Sequence, residues 1–182
     1  MKRLLLIRHA EAEDRVDFKK TKKPDSLRPL TSKGEREFKS YSKAIRTLLP
    51  EVDLLVTSPY IRAKQTATIL AKNYPRARLV ERREAMPLQA PARILKWLSA
   101  QTRRSASVCV IGHEPMLGKL IEAATRDTGI GRISLKKGGA CLLKFKNVDE
   151  KKGELEFQTA EVQCFIQPSQ LKKLAAVLDS DS

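Results

Sequence analysis

The sequence predicts an α/β fold: a three-layer α/β/α sandwich around a mostly parallel sheet. Two observations lead there. Short apolar runs of strand length, ended by polar residues, alternate with longer segments whose apolar residues repeat at helical spacing. In addition, no internal repeat or linker-like stretch divides the 182 residues, so one domain spanning 1–182 is expected.

Lys2–Arg8 reads as a short buried strand. Residues 10–30 form a polar, basic connection containing Pro24 and Pro29. Ser32-Lys33-Gly34-Glu35 has capping-box spacing, with Thr31 as a competing N-cap, and Phe38, Tyr41, Ile45 and Leu48 then form an amphipathic stripe. Val52–Val56 is a second strand. Pro59 marks a helix start, and Ile61, Ile69 and Leu70 carry the helix to about Lys72. Arg78–Val80 is a brief strand, and Pro91 to Ala100 a helix whose Ile94, Leu95, Trp97 and Leu98 belong to the core. Ser107–Ile111 is a buried strand, followed by a helix marked by Met116, Leu117, Leu120, Ile121 and Ala124. Gly138–Phe145 and Leu155–Val162 read as a strand pair joined across Asn147–Gly153. Pro168 to Leu178 reads as the last helix.

The apolar fraction of 41% supports a core, and no run reaches the ~18–20 apolar residues of a membrane helix. Lys2-Arg3 followed by Leu4–Ile7 imitates a signal peptide, but the apolar run is too short for one. Cys109, Cys141 and Cys164 form no C-x-x-C and suggest no disulfide framework; free thiols in a reducing cytoplasm are expected.

Thirty-six Lys and Arg against 21 Asp and Glu give a net charge of +15. The excess lies in three blocks: residues 15–46 (11 basic, 4 acidic), 76–104 (8 and 2) and 132–152 (7 and 2). Two readings stand: solvated faces that keep the protein soluble, or blocks that meet around an anion site. Aromatic residues are only 5% and are not interleaved with the basic runs, which weakens single-strand nucleic-acid binding. A polyanion-binding module remains the alternative function class.

The two histidines carry the strongest signal. His9 follows the first strand and His113 the fourth, each just past a carboxyl end, where open α/β sheets bind ligands. Arg8 precedes His9. Arg62 falls in the first turn of the helix after the second strand, near a helix N-terminus that favours anions. Alone, Arg62 reads as a solvated helix arginine making an i,i+4 contact. Together, Arg8, His9, Arg62 and His113 read as a cationic box for a phosphoryl group.

In Arg8-His9-Ala10, in Ser58-Pro59 with Arg62-Ala63 and Gln65-Thr66, and in Gly112-His113, the sequence resembles the histidine phosphatase superfamily, which includes the phosphoglycerate mutases. Arg28-Pro29-Leu30-Thr31-Ser32-Lys33-Gly34 and Gly112–Pro115 resemble its short, SixA-like phosphohistidine phosphatase branch, and the resemblance runs to Gln167-Pro168. It implies a phosphoglycerate mutase-like fold. It implies His9 as a nucleophile that becomes a phosphohistidine, and Arg8, Arg62 and His113 as groups that hold the phosphoryl oxygens.

The surrounding cations would keep His9 neutral, and a hydrogen bond to its other ring nitrogen would fix the tautomer. The box supplies the charge, so no metal or other cofactor is implied, and no residue cluster has metal-ligand spacing. Glu84 aligns with the general acid of larger members; the other reading is a surface pair with Arg82 or Arg83. Arg28 either approaches the substrate or makes a structural salt bridge.

The implied substrate is a phosphorylated protein, such as a histidine phosphotransfer domain, or a small phosphorylated molecule, with broad phosphomonoesterase activity as the alternative. The compact Ala10–Leu30 segment argues against a mutase. A cytoplasmic, membrane-free setting is expected.

Overall fold

The computed structural model describes residues 2–101, 105–125, 133–145, 148–149, 154–155 and 160–180. Along the chain lie β1 (Arg3–Arg8), α1 (Arg15–Lys20), a 3-10 turn (Asp25–Leu27), α2 (Ser32–Leu48), β2 (Leu54–Thr57), α3 (Ile61–Ala71) and β3 (Arg78–Glu81). A second 3-10 turn (Arg83–Ala85) follows, then α4 (Pro91–Ser99), β4 (Ser107–Gly112), α5 (Met116–Thr125), β5 (Ala140–Phe145), β6 (Val148–Asp149), β7 (Glu154–Leu155), β8 (Ala160–Ile166) and α6 (Pro168–Ser180).

Six strands form one sheet in the order β3-β2-β4-β1-β5-β8. β3, β2, β4 and β1 run parallel, and β5 and β8 pair antiparallel at one edge. The sheet is covered on both faces. Leu4, Leu6, Val108 and Val110 pack with α4 and α5 through Ile94, Leu98, Leu117 and Leu120. Their alternates Leu5, Ile7, Cys109 and Ile111 pack with α2, α3 and α6 through Phe38, Ile45, Leu70 and Leu171. The three-layer sandwich expected from the apolar runs is present because successive strand residues feed opposite cores.

Four details differ from the sequence reading. The 10–30 connection contains a helix, α1, started by Asp14, whose side chain accepts from Val16 N and Asp17 N. Thr31, not Ser32, caps α2 by accepting from Gly34 N at 2.9 Å. The last strand region falls on β7 and β8, with 156–159 outside the described residues, and β8 runs on to Ile166; most of the connection expected at 147–153 also lies outside the described residues. Trp97 is half-buried at the rim of the core, with the Arg82 guanidinium 4.7 Å above its ring.

The first turn of α2 presses against the loop that follows β1. A side chain at Gly34 would collide with the Glu11 carbonyl oxygen, so this glycine allows the close approach. Thr31 N donates to the same oxygen at 3.0 Å.

Candidate active site

β1, β4 and β2 lie side by side, and each delivers a polar residue at its carboxyl end. Arg8 is in register with Gly112, and Thr57 with Ile111, so His9, His113 and Ser58 follow at one edge of the sheet. Backbone bonds hold the three ends together: His9 N donates to Gly112 O at 3.0 Å, and Ser58 N to Ile111 O at 3.1 Å. The His9 and His113 ring centroids are 5.0 Å apart. Gly138, at φ +83°, donates its N–H to the carbonyls of both Arg8 and His9, tying the other flank of β1.

His9 is 5% exposed. Its Nδ1 lies 2.7 Å from the Ala10 carbonyl oxygen, which can only accept, so Nδ1 carries the proton. Its Nε2 therefore holds a lone pair, and Arg62 Nε donates to it at 3.2 Å. Burial, then coupling to the neighbouring His113 ring and the charges of Arg62 and Arg8, push the His9 pKa well below 6.5, against the opposing pull of the Ala10 hydrogen bond. The imidazole is thus neutral near pH 7, as a nucleophile requires.

Arg62, 2% exposed, sits in the first turn of α3. Nη1 donates to the Asp25 carbonyl oxygen at 2.8 Å and Nη2 to Asp25 Oδ2 at 3.0 Å. Thr66 Oγ1 donates to the Arg62 carbonyl oxygen and accepts from Ala10 N, so α3 is knitted to the residue beside the nucleophile. Gln65 Oε1 accepts from Leu30 N, fastening the 10–30 loop to the same helix.

Arg8 enters from the other side. Its Nη1 donates to the Leu135 carbonyl oxygen at 2.7 Å, and Leu135 N donates to Glu114 Oε1 at 2.8 Å. Glu114 Oε2 accepts from Gly118 N in α5. Glu114 thus makes helix-end bonds and also holds the segment that holds Arg8. Burial lowers the pKa of Arg8 and of Arg62, but a guanidinium remains charged at neutral pH.

His113 is 2% exposed, its Nε2 lies 2.9 Å from Ser58 Oγ, and the Tyr60 ring meets it edge-on at 5.1 Å between centroids. Burial, followed by the charges of Arg62 and Arg8, brings its pKa to about 3. Arg8, His9, Arg62 and His113 lie together at this edge of the sheet.

Arg28 and Glu84 are placed differently. Arg28 is buried and donates from Nε to Asp25 Oδ1 at 2.8 Å and from Nη1 to the Glu13 carbonyl oxygen. Of its two sequence readings, the structural salt bridge is the arrangement present. Glu84 accepts two bonds from Arg82, at 2.6 Å from Nη2 and 3.1 Å from Nε, which is the surface-pair arrangement. Arg82's hydrogen bonds lower the Glu84 pKa and favour its ionised form.

Asp25 is the residue the sequence reading passed over. It gathers Arg62, Arg28 and, at 3.7 Å, Arg15. Burial works against its charge, but the Arg28 hydrogen bond and the neighbouring arginines outweigh this and lower its pKa. The only sequence signal was a lone acid after Pro24 in a strongly basic stretch.

The basic blocks divide in the same way. Arg28 of the first turns inward, whereas Arg83, Arg93 and Lys96 of the second line an open groove of about 650 Å³ with Glu84, Met86 and Gln89. Several residues of the third lie outside the described residues.

The model of the histidine phosphatase superfamily (branch 1) matches residues 4–86. An uncharacterized protein of Picosynechococcus sp. is 33% identical over 141 residues, covering 75% of this chain and 81% of the relative. Phosphohistidine phosphatase SixA of Escherichia coli is 32% identical over 100 residues, 53% of this chain and 62% of SixA. A solved structure of the protein histidine phosphatase SixA complexed with tungstate superposes with a TM-score of 0.74 at 22% identity, covering 93% of this chain and 99% of that one. The fold is thus that of the phosphoglycerate mutase-like proteins. The chain belongs to the histidine phosphatase superfamily, as a phosphatase of that family.

Proposed function

We propose that the protein removes phosphoryl groups from phosphohistidine carried on a phosphotransfer protein, through a phosphohistidine intermediate on His9. One observation carries this: the His9 Nδ1 proton is bound to the Ala10 carbonyl, leaving the Nε2 lone pair at the Arg62 guanidinium.

In the first step that lone pair forms a bond to phosphorus. The phosphorus–nitrogen bond of the substrate breaks, and its electron pair leaves with the substrate imidazole, which takes a proton from solvent. Arg8, Arg62 and His113 meet the charge on the phosphoryl oxygens. The Ala10 carbonyl stabilises the positively charged phosphoimidazole through Nδ1–H. Water then attacks phosphorus, the Nε2–phosphorus bond breaks, and inorganic phosphate and neutral His9 result.

An imidazole is a good leaving group, so the first step needs no carboxylic acid. That agrees with Glu84 being held ionised by Arg82. The similarity to SixA supports a protein-borne substrate. The whole chain acts as one catalytic domain, since a single sheet joins residues 3 to 166. The proposed setting is the cytoplasm, where Cys109, Cys141 and Cys164 stay as thiols. Among the described residues, no helix is long and apolar enough to cross a membrane.

The test is a competition between a phosphohistidine-bearing phosphotransfer domain and phosphoserine, phosphotyrosine and sugar phosphates. A clear preference for phosphohistidine, with an acid-labile phosphoenzyme, is expected. Equal rates on all substrates would instead favour a broad phosphomonoesterase.

A further inference from the structure

Among the described residues, two buried side-chain nitrogens have no hydrogen-bond partner, and both flank His9: Arg8 Nε and His113 Nδ1. For Arg8 Nε the role is fixed, since a guanidinium nitrogen only donates. For His113 Nδ1 it depends on which ring nitrogen holds the proton.

Ser58 decides this. It is fully buried, and its Oγ already accepts from Tyr60 N at 3.3 Å. The hydroxyl proton needs an acceptor, and His113 Nε2 stands 2.9 Å away. If Ser58 donates to Nε2, every polar atom of the hydroxyl is satisfied and the imidazole proton sits on Nδ1. If Nε2 carried the proton instead, Ser58 would accept twice and its own buried O–H would lack an acceptor, a cost of about 1–3 kcal/mol. Nδ1 would then turn a lone pair toward a phosphoryl dianion and repel it.

We propose that Ser58 is a positioning residue that fixes His113 as the Nδ1–H tautomer, so that His113 presents a hydrogen-bond donor to the phosphoryl group. The assignment of that ligand rests on the proposed function; the tautomer itself does not. Tyr60 supports the arrangement twice, through its backbone N–H on Ser58 and through its ring against His113.

With only two histidines in the chain, nitrogen NMR on the labelled protein reads both tautomers directly, and His9→Ala and His113→Ala assign the signals. At neutral pH both rings are expected as Nδ1–H. Ser58→Ala should move His113 toward Nε2–H and leave His9 unchanged, while Ser58→Thr should keep the wild-type pattern. In parallel, Ser58→Ala should lower kcat and weaken vanadate binding by roughly ten- to a hundredfold, and Ser58→Thr should restore most of both.

An Nε2–H His113 in the wild-type protein, or an unchanged tautomer in Ser58→Ala, would overturn the assignment even if the enzyme is fully active. Failure of the functional reading is separate: it would appear as a wild-type protein without phosphatase turnover whose His113 is nonetheless Nδ1–H.

Discussion

Two arginine–carboxylate pairs stand at the carboxyl edge of this sheet, and they are built for opposite ends. In the crevice, Arg62 is almost wholly buried and gives its fork to Asp25, yet its Nε still turns to His9. After β3, the half-exposed Arg82 spends Nε and Nη2 on Glu84 and lays its face over Trp97. The first pair is open toward a reacting atom, and the second is closed on itself. Net charge and residue type do not separate the two; burial and the choice of donor atom do.

The widest separation should come from the residue Arg62 faces. Replacing His9 by alanine removes the attacking lone pair, and kcat/KM should fall by at least about 10⁴-fold, with no acid-labile phosphoenzyme on a quenched gel. Near-wild-type turnover would remove the crevice from the chemistry altogether. Next, Arg62→Ala should cost roughly 10²–10³-fold in kcat, the scale of losing a preorganised donor, while Arg82→Ala stays within a few-fold on a small phosphoramidate. Equal losses from the two would erase the distinction between the pairs.

The crevice should also show in the pH dependence of stability. His113 has a folded pKa of about 3 against an ordinary 6.5. The unfolded chain therefore binds its proton first, and the contribution is full above pH 6.5 and lost as pH falls toward 3. Between pH 6.5 and about 5 this single group should withdraw ~2 kcal/mol, a span in which Asp25 and Glu84 stay ionised. Urea titrations of wild type and His113→Ala at the two pH values should show a shallower loss in the variant. Parallel curves would mean that the ring protonates without unfolding cost. A gentler perturbation is Asp25→Asn, which loosens Arg62 without removing it. It should lower kcat about tenfold and leave KM nearly unchanged, because the guanidinium is misaimed rather than lost.

The contrast also marks what the chain disclosed before its structure. His9, His113 and Arg62 were legible because strand ends and helix starts are local signals, and the sheet brings such ends to one edge. The three layers were legible because apolar runs were uninterrupted. Asp25 was not, since nothing local says that a loop acid beside Pro24 meets a helix 37 residues further on. Ser58 stood inside a recognisable segment, but its bond to His113 joins strand ends 55 residues apart. Glu84 and Arg28 were each left with two readings because a carboxylate or guanidinium near a site in sequence has several neighbours, and only packing selects one.

The smallest effect should fall on Glu84, and it is the sharpest test of the closed pair. Glutamine keeps the shape and one acceptor for Arg82 but has no acidic proton. If Glu84 were the general acid, Glu84→Gln would slow phosphate-ester hydrolysis by about 10²-fold or more, and less so a substrate with a better leaving group. The geometry argues otherwise: Arg82 holds the carboxylate at 2.6 Å and lowers its pKa, so no proton is available near neutral pH. Glu84→Gln should therefore stay within about threefold of wild type on both substrates, and stability should drop by less than ~1 kcal/mol, as for a half-exposed ion pair. A leaving-group-dependent loss in a competition of ester against phosphoramidate would show that the pair opens during turnover. The groove lined by Arg83, Arg93 and Lys96 would then belong to the reacting site and not beside it.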